Sequence, residues 1–222
     1  MRNVVAAQRD AETQAHDAMI TTMAFDATGQ WLATGSSDTT VKVWDLDGRF
    51  CTHNFKGHGG IIQTVTFHPN PTTWQLFSTS DDTTARVWDL KRKACLAVLK
   101  GHHSSVRAID VNEEADLLLT AGRDQMVHLW SATDFKRKAT FPILDTIEAA
   151  GFFGAKDVQK MVGKKSTDAQ LFWTAGSEGR LAIWSTKTGT EQWKETRDPG
   201  AAYEILNAMS AFFFLMSKNF GK

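Results

Sequence analysis

Histidine, aspartate and tryptophan recur along this chain at nearly fixed spacing. Asp38, Asp82 and Asp124 each precede a tryptophan by six residues, and a histidine lies 28 or 30 residues before each of those tryptophans. Histidine beside an acid and a hydroxyl is also the arrangement of a hydrolase triad, in which one base activates one exposed nucleophile. Because this constellation occurs three times in 222 residues, a structural role is favoured over catalysis.

The spacing belongs to four sequence repeats. Their tryptophans, Trp44, Trp88, Trp130 and Trp184, are 44, 42 and 54 residues apart, which is close to the period of a four-stranded propeller blade. The fourth repeat has Glu178 in place of aspartate, and "FPIL" where the others have histidine. We predict that this repeat is the least stable of the four, since a half-satisfied buried polar network destabilises a fold.

Each repeat contains four short apolar runs separated by turn residues. In the first repeat these are "ITTMAF", "WLATGS", "VKVWDL" and "CTHNF", and the other three repeats follow the same plan. Runs of this length separated by turns predict an all-β fold. All four prolines are predicted to lie between strands, where a missing N–H removes no ladder hydrogen bond.

The four registered repeats, with Gly-His pairs at 57–58 and 101–102, resemble the WD40 family over most of residues 16 to 187. This resemblance implies β-propeller blades, each held by a buried structural clamp in which Asp accepts from His, His meets a Ser or Thr hydroxyl, and that hydroxyl accepts the Trp indole N–H. Carried over position by position, the clamp residues are His16, Thr34, Asp38 and Trp44; His58, Ser78, Asp82 and Trp88; His102, Thr120, Asp124 and Trp130; and, without a histidine, Thr174, Glu178 and Trp184.

Segments between the blades resemble one lineage of that family. "CTHNFKGHGGIIQTVTFHPNP", "LLLTAGRDQMVHLW" and "LDTIEAAGF" look like the transducin-beta-like tandem-propeller subunits of the UTP-B module of the small-subunit processome. The resemblance implies a nucleolar scaffold for pre-rRNA processing with the U3 ribonucleoprotein, whose partners are other proteins of that assembly. Another WD40 adaptor, such as a chromatin reader or a ubiquitin-ligase substrate receptor, is the alternative.

Composition and motifs narrow the function classes. A formal net charge of zero argues against a domain that wraps nucleic acid by bulk charge. No Gly-rich loop opens a helix, so nucleotide binding has no support, and the Cys51…His58 and Cys95…His102 spacings are not those of a compact zinc site. We therefore expect no enzyme, cofactor, metal or small-molecule substrate. The longest apolar run, "AFFFLM", is too short to span a bilayer.

Basic residues cluster in the predicted third hairpin of two neighbouring blades. We expect "KRK" at 91–93 and at 136–138 to project side by side on the face opposite the clamp turns, with lysines of a long insertion at 154–169 extending this basic margin. The margin is either a solvated rim or a contact for RNA or an acidic partner. Its candidate contact residues are Lys91, Arg92, Lys93, Lys136, Arg137, Lys138, Lys164 and Lys165.

The repeats also suggest how the chain is organised. We expect residues 1–15 to be an N-terminal segment that ends a preceding blade, and 16–200 to form the four repeats. Residues 201–222 either begin a fifth blade or are a misassigned end such as translated intron. Because WD40 rings usually have more than four blades, we expect the chain to be part of a larger ring. Cys51 and Cys95 each follow a repeat tryptophan by seven residues, which predicts reduced thiols at equivalent positions.

Overall fold

The described part of the chain forms four antiparallel sheets. The computed structural model describes residues 15–112, 114, 116–153 and 170–196, and each sheet takes four consecutive strands in chain order. Blade 1 contains β1 (Ile20–Phe25), β2 (Trp31–Ser36), β3 (Val41–Asp45) and β4 (Phe50–Phe55). Blade 2 contains β5 (Ile62–Phe67), β6 (Gln75–Ser80), β7 (Ala85–Asp89) and β8 (Ala94–Leu99). Blade 3 contains β9 (Val106–Val111), β10 (Leu117–Gly122), β11 (Met126–Ser131) and β12 (Arg137–Pro142). Blade 4 contains β13 (Ile147–Phe152), β14 (Leu171–Gly176), β15 (Arg180–Ser185) and β16 (Glu191–Thr196).

This arrangement confirms the predicted all-β fold of four-stranded blades, and no helix in the described ranges is long and apolar enough to cross a membrane. One prediction about the prolines was wrong. Pro142 is the last residue of β12, where it pairs with Met126, and it is tolerated because β12 is the final strand of its sheet. Residues 1–14, 154–169 and 197–222, on which several organisational predictions fall, lie outside the described residues.

The turn between the second and third strands has the same backbone conformation in every blade. The residue after the turn acid has positive φ: 67° at Thr39, 67° at Thr83, 65° at Gln125 and 76° at Gly179. A β-branched residue such as threonine rarely adopts this region. The side chains that surround the turn must therefore stabilise it in blades 1 and 2.

The core lies between successive blades. Val41, Val43 and Phe55 of blade 1 pack against Ile62 and Val65 of blade 2, and the same kind of apolar cluster joins blade 2 to blade 3 and blade 3 to blade 4. The first strands of neighbouring blades contact one another. The propeller geometry therefore places the turn acids of all blades on one face and the hairpins that follow the tryptophans on the other.

Blade 1 differs from the others in the exposure of its first strand. Met23 is 62% exposed, whereas Val65 and Ile109, its register equivalents in blades 2 and 3, are buried beneath the preceding blade. Phe25 is exposed in the same way. Blade 1 thus presents an apolar surface of the kind that a preceding blade covers elsewhere in the molecule.

Candidate functional site

The clamp of blade 2 is a continuous chain of hydrogen bonds from the turn to the third strand. His58 Nδ1 donates to Asp82 Oδ2 at 2.8 Å, and Ser78 Oγ donates to His58 Nε2 at 2.8 Å. Trp88 Nε1 donates to Ser78 Oγ at 2.8 Å. These directions follow from the network, because a neutral imidazole has one donor and one acceptor nitrogen. The chain joins the segment before β5 to β6 and β7.

Blades 1 and 3 contain the same arrangement. His16 lies 2.8 Å from Asp38 and 2.7 Å from Thr34, whose hydroxyl accepts from Trp44 at 2.9 Å. In blade 3, His102 lies 2.9 Å from Asp124 and 2.9 Å from Thr120, whose hydroxyl accepts from Trp130 at 2.9 Å. The structure therefore brings together all twelve predicted residues of the first three clamps.

Burial and hydrogen bonding set the protonation of the clamp. Burial lowers the pKa of His58 and of His102 below the ordinary value, so both rings are neutral at pH 7. Burial would raise the pKa of Asp82, but hydrogen bonds from Thr84, the Gly59 N–H and His58 outweigh it and hold that pKa below its usual range. The clamps of blades 2 and 3 thus pair a carboxylate with a neutral imidazole.

The buried hydroxyl does not suit nucleophilic catalysis. Ser78 and Thr120 are 0% exposed, and each hydroxyl oxygen already accepts an indole N–H. A catalytic nucleophile must reach a substrate beside an oxyanion site. The geometry therefore supports a structural role for these three sets.

Blade 4 departs from the prediction at Glu178. Trp184 Nε1 still donates to Thr174 Oγ1 at 2.9 Å, but Glu178 is exposed and no hydrogen bond joins it to that pair. Ile143, four residues before β13, occupies the place of the histidine and is 2% exposed. Without an imidazole donor, the carboxylate remains in solvent, so the Glu178 assignment was wrong and only the Thr174–Trp184 pair remains.

A further acid lies near the same turn of blade 4. The buried carboxyl of Asp145 packs against Gly176, where any side chain would collide with it. Burial, and then the charge of Glu178, raises the pKa of Asp145 above its ordinary value. The sequence repeats do not reveal Asp145, because it has no counterpart in the other blades.

A basic residue lies on the third strand of blades 1 to 3, two residues before the tryptophan, and was not predicted from the sequence. Lys42 Nζ donates to the Ala15 carbonyl at 2.7 Å, and an Arg86 guanidinium nitrogen donates to the Gly57 carbonyl at 2.7 Å. His128 takes this position in blade 3, where its pKa is lowered to about 4 by burial and by the nearby His102. The residue there in blade 4 is alanine. The first three repeats could have revealed it, because each has a basic residue at this position.

His128 also creates a cluster of ligand-type atoms. His102, Asp124 and His128 offer nitrogen and carboxylate atoms within 4.8 Å of one another, and Nε2 of His128 is buried without a hydrogen-bond partner among the described residues. Both nitrogens of His102 are engaged in the clamp, and the positive charge of Arg137 acts on both rings. We interpret the trio as part of the clamp rather than as a cation site.

The two basic tripeptides occupy different places in their hairpins. Lys93 has φ 54° and Phe135 has φ 56°, which identifies them as equivalent turn residues. Cys95 pairs with Trp88, and Arg137 pairs with Trp130 in the same register. Residues 91–93 therefore lie in a turn, whereas 136–138 begin at the next residue and continue into β12. The two tripeptides thus belong to equivalent hairpins of neighbouring blades but begin at different positions in them, and their joint contact surface stays a prediction.

Several of these cations already have contacts within the protein. Arg92 lies 3.7 Å from Asp89, and Lys136 lies 3.3 Å from Asp134. The guanidinium of Arg137 lies 6.0 Å from the ring centre of Trp130, in its own blade. Lys93 donates to the Thr52 carbonyl of blade 1. Lys138 is exposed, and Lys164 and Lys165 lie outside the described residues, so the structure supports a weaker basic surface than predicted.

The cysteines lie where the repeat spacing predicts. Cys51 pairs with Trp44, and Cys95 pairs with Trp88. Both thiols are free and exposed. They occupy the strand position that Arg137 takes in blade 3.

Comparison with known proteins gives consistent results. A family model described as WD domain, G-beta repeat matches residues 9–45, 49–89 and 93–131. The chain is 36% identical over 196 residues to transducin beta-like protein 3 of Mus musculus, covering 88% of this chain and 24% of that protein. It is 38% identical over 179 residues to U3 small nucleolar RNA-associated protein 13 of Saccharomyces cerevisiae, covering 75% of this chain and 22% of that protein. A shorter match, 33% over 60 residues, is to a ribosome biogenesis protein BOP1 homolog of Oryza sativa subsp. japonica, covering 27% of this chain and 9% of that protein.

These matches agree with the observed blades. The chain spans about a quarter of the length of the first two relatives. The family model covers β1 to β11, the three complete clamps with their histidines, and more than half of the residues. Proteins of this kind are typically non-catalytic scaffolds. The chain belongs to the WD40-repeat family.

Proposed function

We propose that this protein is a non-catalytic WD40 scaffold for protein assembly in small-subunit pre-rRNA processing. The observation that carries the proposal is the similarity, over 88% and 75% of the chain, to transducin beta-like protein 3 and to a U3 small nucleolar RNA-associated protein. We infer that its partners are other proteins of that assembly, including other WD40 subunits, and that it acts in the nucleolus.

The geometry of the clamp supports the non-catalytic part of this proposal. In blades 1 to 3, the histidine and the hydroxyl residue that resemble part of a hydrolase triad are buried and hydrogen-bonded to each other, and the aspartate is half-buried against the histidine. A scaffold binds instead through loops and strand edges on an unchanged frame, since function resides in sites placed on a fold. We expect neither a cofactor nor a small-molecule substrate to be required.

Affinity purification of the tagged protein from its own cells tests the proposal. We expect U3 small nucleolar RNA and small-subunit assembly proteins to be enriched relative to a spliceosomal small nuclear RNA, and the tagged protein to localise to the nucleolus. An unrelated WD40 propeller with the same tag is the control. Enrichment of histones or of cullin subunits without U3 RNA would overturn the proposal and favour the chromatin-reader or ubiquitin-ligase alternative.

The basic residues at 91–93 and 136–138 are the candidates for direct contact with RNA. Co-purification with U3 RNA is expected for any protein of such an assembly, so it does not identify which surface touches RNA. The candidate residues at 91–93 and 136–138 remain a prediction, and a salt-dependence measurement on the purified protein addresses them directly.

A further inference from the structure

A cavity of about 200 Å³ opens between blades 1 and 2, on the face opposite the clamp turns. Its walls come from the β1–β2 turn, the start of β2, the end of β5, the β5–β6 loop and the residue after β7. The lining residues that carry the argument are Asp26, Trp31, Phe67, His68, Trp74 and Leu90.

Two indoles meet at this cavity at a steep angle. The ring centres of Trp31 and Trp74 are 5.8 Å apart with an interplanar angle of 70°. Trp74 is 37% exposed although it is a large apolar side chain. The Leu90 N–H donates to the Trp74 carbonyl at 2.9 Å, which ties the loop that carries Trp74 to the end of β7. Trp74 is therefore positioned by the backbone of blade 2, faces Trp31 of blade 1 and is open to solvent.

The cavity has an acidic character. Asp26 is the one charged side chain among the described residues that line it. Burial would raise the pKa of Asp26, but hydrogen bonds from the Thr28 hydroxyl and the backbone N–H groups of Trp31 and Thr28 outweigh it and hold that pKa below its usual range. Burial lowers the pKa of the neighbouring His68, so that ring is neutral at pH 7. The lining residues themselves therefore carry one carboxylate, and the nearby cation, Lys91, lies against Trp74.

An intramolecular cation already uses this aromatic surface. Lys91 Nζ lies 5.8 Å from the ring centre of Trp74. An ammonium group at this distance is attracted by the negative face of an indole, and the attraction is larger where the cation is desolvated. The contact shows that the geometry at Trp74 accommodates an ammonium group.

We propose that this cavity binds a lysine side chain of a partner protein, with its ammonium group held between Trp31, Trp74 and Asp26 and its aliphatic stem against Phe67 and Leu90. Charge complementarity favours this occupant over an anion, because a phosphate would meet the Asp26 carboxylate. The inference goes beyond the scaffold function and does not depend on which assembly the protein joins.

The test separates cation recognition from simple apolar binding. In the full chain with ¹⁵N-labelled tryptophan, the indole N–H signals of Trp31 and Trp74, assigned from Trp→Phe variants, are followed by NMR. The probes are choline, its neutral isostere 3,3-dimethylbutan-1-ol, and uridine monophosphate. We expect choline to shift both signals with an affinity about fivefold above that of the isostere. A peptide with one lysine, acetyl-Gly-Lys-Gly-amide, should shift the same signals.

Two variants sharpen the result. Trp74→Leu keeps apolar bulk at the cavity but removes the aromatic ring. This variant should bind choline and the isostere with about equal affinity. Lys91→Met removes the competing internal ammonium group and should leave choline binding unchanged or strengthen it. Unchanged indole N–H signals of Trp44 and Trp88, which are held in the clamps of blades 1 and 2, would show that the free Trp74→Leu variant still folds.

Three outcomes would overturn the proposal. Equal affinity for choline and the neutral isostere would make the cavity an apolar pocket without charge preference. Tighter binding of uridine monophosphate would make it a nucleotide-binding surface. Absence of any shift at Trp31 and Trp74 with choline and with the lysine peptide would show that the cavity does not bind basic groups. None of these results bears on co-purification with U3 RNA.

Discussion

Blades 2 and 4 build the same four-stranded sheet by different chemistry. In blade 2, the turn between the second and third strands is surrounded by the clamp, and the positive-φ residue is Thr83. In blade 4, the same turn has Gly179 at the positive-φ position, and the buried Ile143 replaces the histidine. The third hairpins differ in the same way, with Lys93 at φ 54° and Gly189 at φ 65°.

The difference shows that the clamp residues depend on one another. Asp82 accepts hydrogen bonds from His58, from the Gly59 N–H, and from the backbone and hydroxyl of Thr84. This carboxylate therefore stabilises a turn whose threonine has an unfavourable backbone conformation. Glycine adopts that conformation without a steric penalty, so blade 4 needs neither the carboxylate nor the imidazole at this turn.

The largest predicted effect comes from removing the turn acid in each blade. Asp82→Ala leaves the His58 N–H and three further donors without their acceptor, and we expect a loss of about 3 kcal/mol, the upper end of the range for unsatisfied buried groups. Glu178→Ala removes an exposed carboxylate and should change stability by no more than about 0.5 kcal/mol. Urea unfolding of both variants, in a chain that unfolds cooperatively, checks the difference. Equal losses would mean that Glu178 supports blade 4 after all.

The sequence was sufficient for features that repeat within one blade. The spacing of Asp82 and Trp88 located the second and third strands, because both residues belong to one local hairpin. The sequence was not sufficient to predict contacts between residues that do not recur at the repeat spacing. The cavity at Trp31 and Trp74 depends on how blade 2 packs beside blade 1, and neither tryptophan has an aromatic counterpart in blade 3.

The fourth repeat shows the same limit at the clamp. Sequence reasoning placed Glu178 in the network because its spacing to Trp184 matched, yet a carboxylate joins only if a donor faces it. The absence of a histidine predicted a weaker network. It did not predict that Ile143 would fill the space, or that the buried Asp145 would lie near the turn.

The basic residue two positions before tryptophan provides a pH test of the comparison. His128 has a pKa of about 4 in the folded protein, against about 6.5 in an unfolded chain. The unfolded state therefore binds more protons between these values, and the stability that neutral His128 contributes above pH 6.5 is lost as the pH falls towards 4. The unfolding free energy of the wild type should fall between pH 7.5 and 4.5. We expect the fall to be smaller in His128→Gln, by on the order of 2 kcal/mol.

Other groups titrate in the same range, so the difference between wild type and variant is the quantity to measure. Asp110 has a pKa raised to about 6 by burial, which makes its own contribution fall as the pH rises, with the opposite sign. This contribution is present in both proteins and cancels. Ala182→Gln, a change to the same side chain at the equivalent position of blade 4, is the control and should leave the pH dependence unchanged. Identical pH profiles of wild type and His128→Gln would show that His128 does not titrate in this way.

A smaller effect is expected from exchanging the turn residues of the two blades. Gly179→Thr places a β-branched residue at φ 76°. Blade 4 lacks the hydrogen bonds between Asp82 and Thr84 that stabilise this turn in blade 2, so we expect the free energy of unfolding to fall by about 1 kcal/mol. Thr83→Gly relieves backbone strain but increases the entropy of the unfolded chain, so its net effect should lie within about 0.5 kcal/mol. Thermal unfolding of the two variants measures both. A larger loss for Thr83→Gly than for Gly179→Thr would contradict the view that glycine replaces the clamp.

The smallest predicted effect concerns the opposite face, where the hairpins of blades 2 and 3 carry the basic tripeptides. Each single-stranded phosphate contact contributes a log–log salt slope of about −0.7. Because Arg137 lies over Trp130, and Arg92 and Lys136 lie near Asp89 and Asp134, we expect glutamine at all six positions to change the slope of RNA binding by less than one such contact. RNA binding across a salt series, wild type against the six-fold variant, measures this change.

A decrease in the steepness of the salt slope equivalent to several phosphate contacts would establish these hairpins as an RNA surface, because exposed ion pairs with carboxylates are weak enough for phosphate to displace. An unchanged slope would leave the two hairpins as a solvated rim, and the search for contacts would move to protein partners.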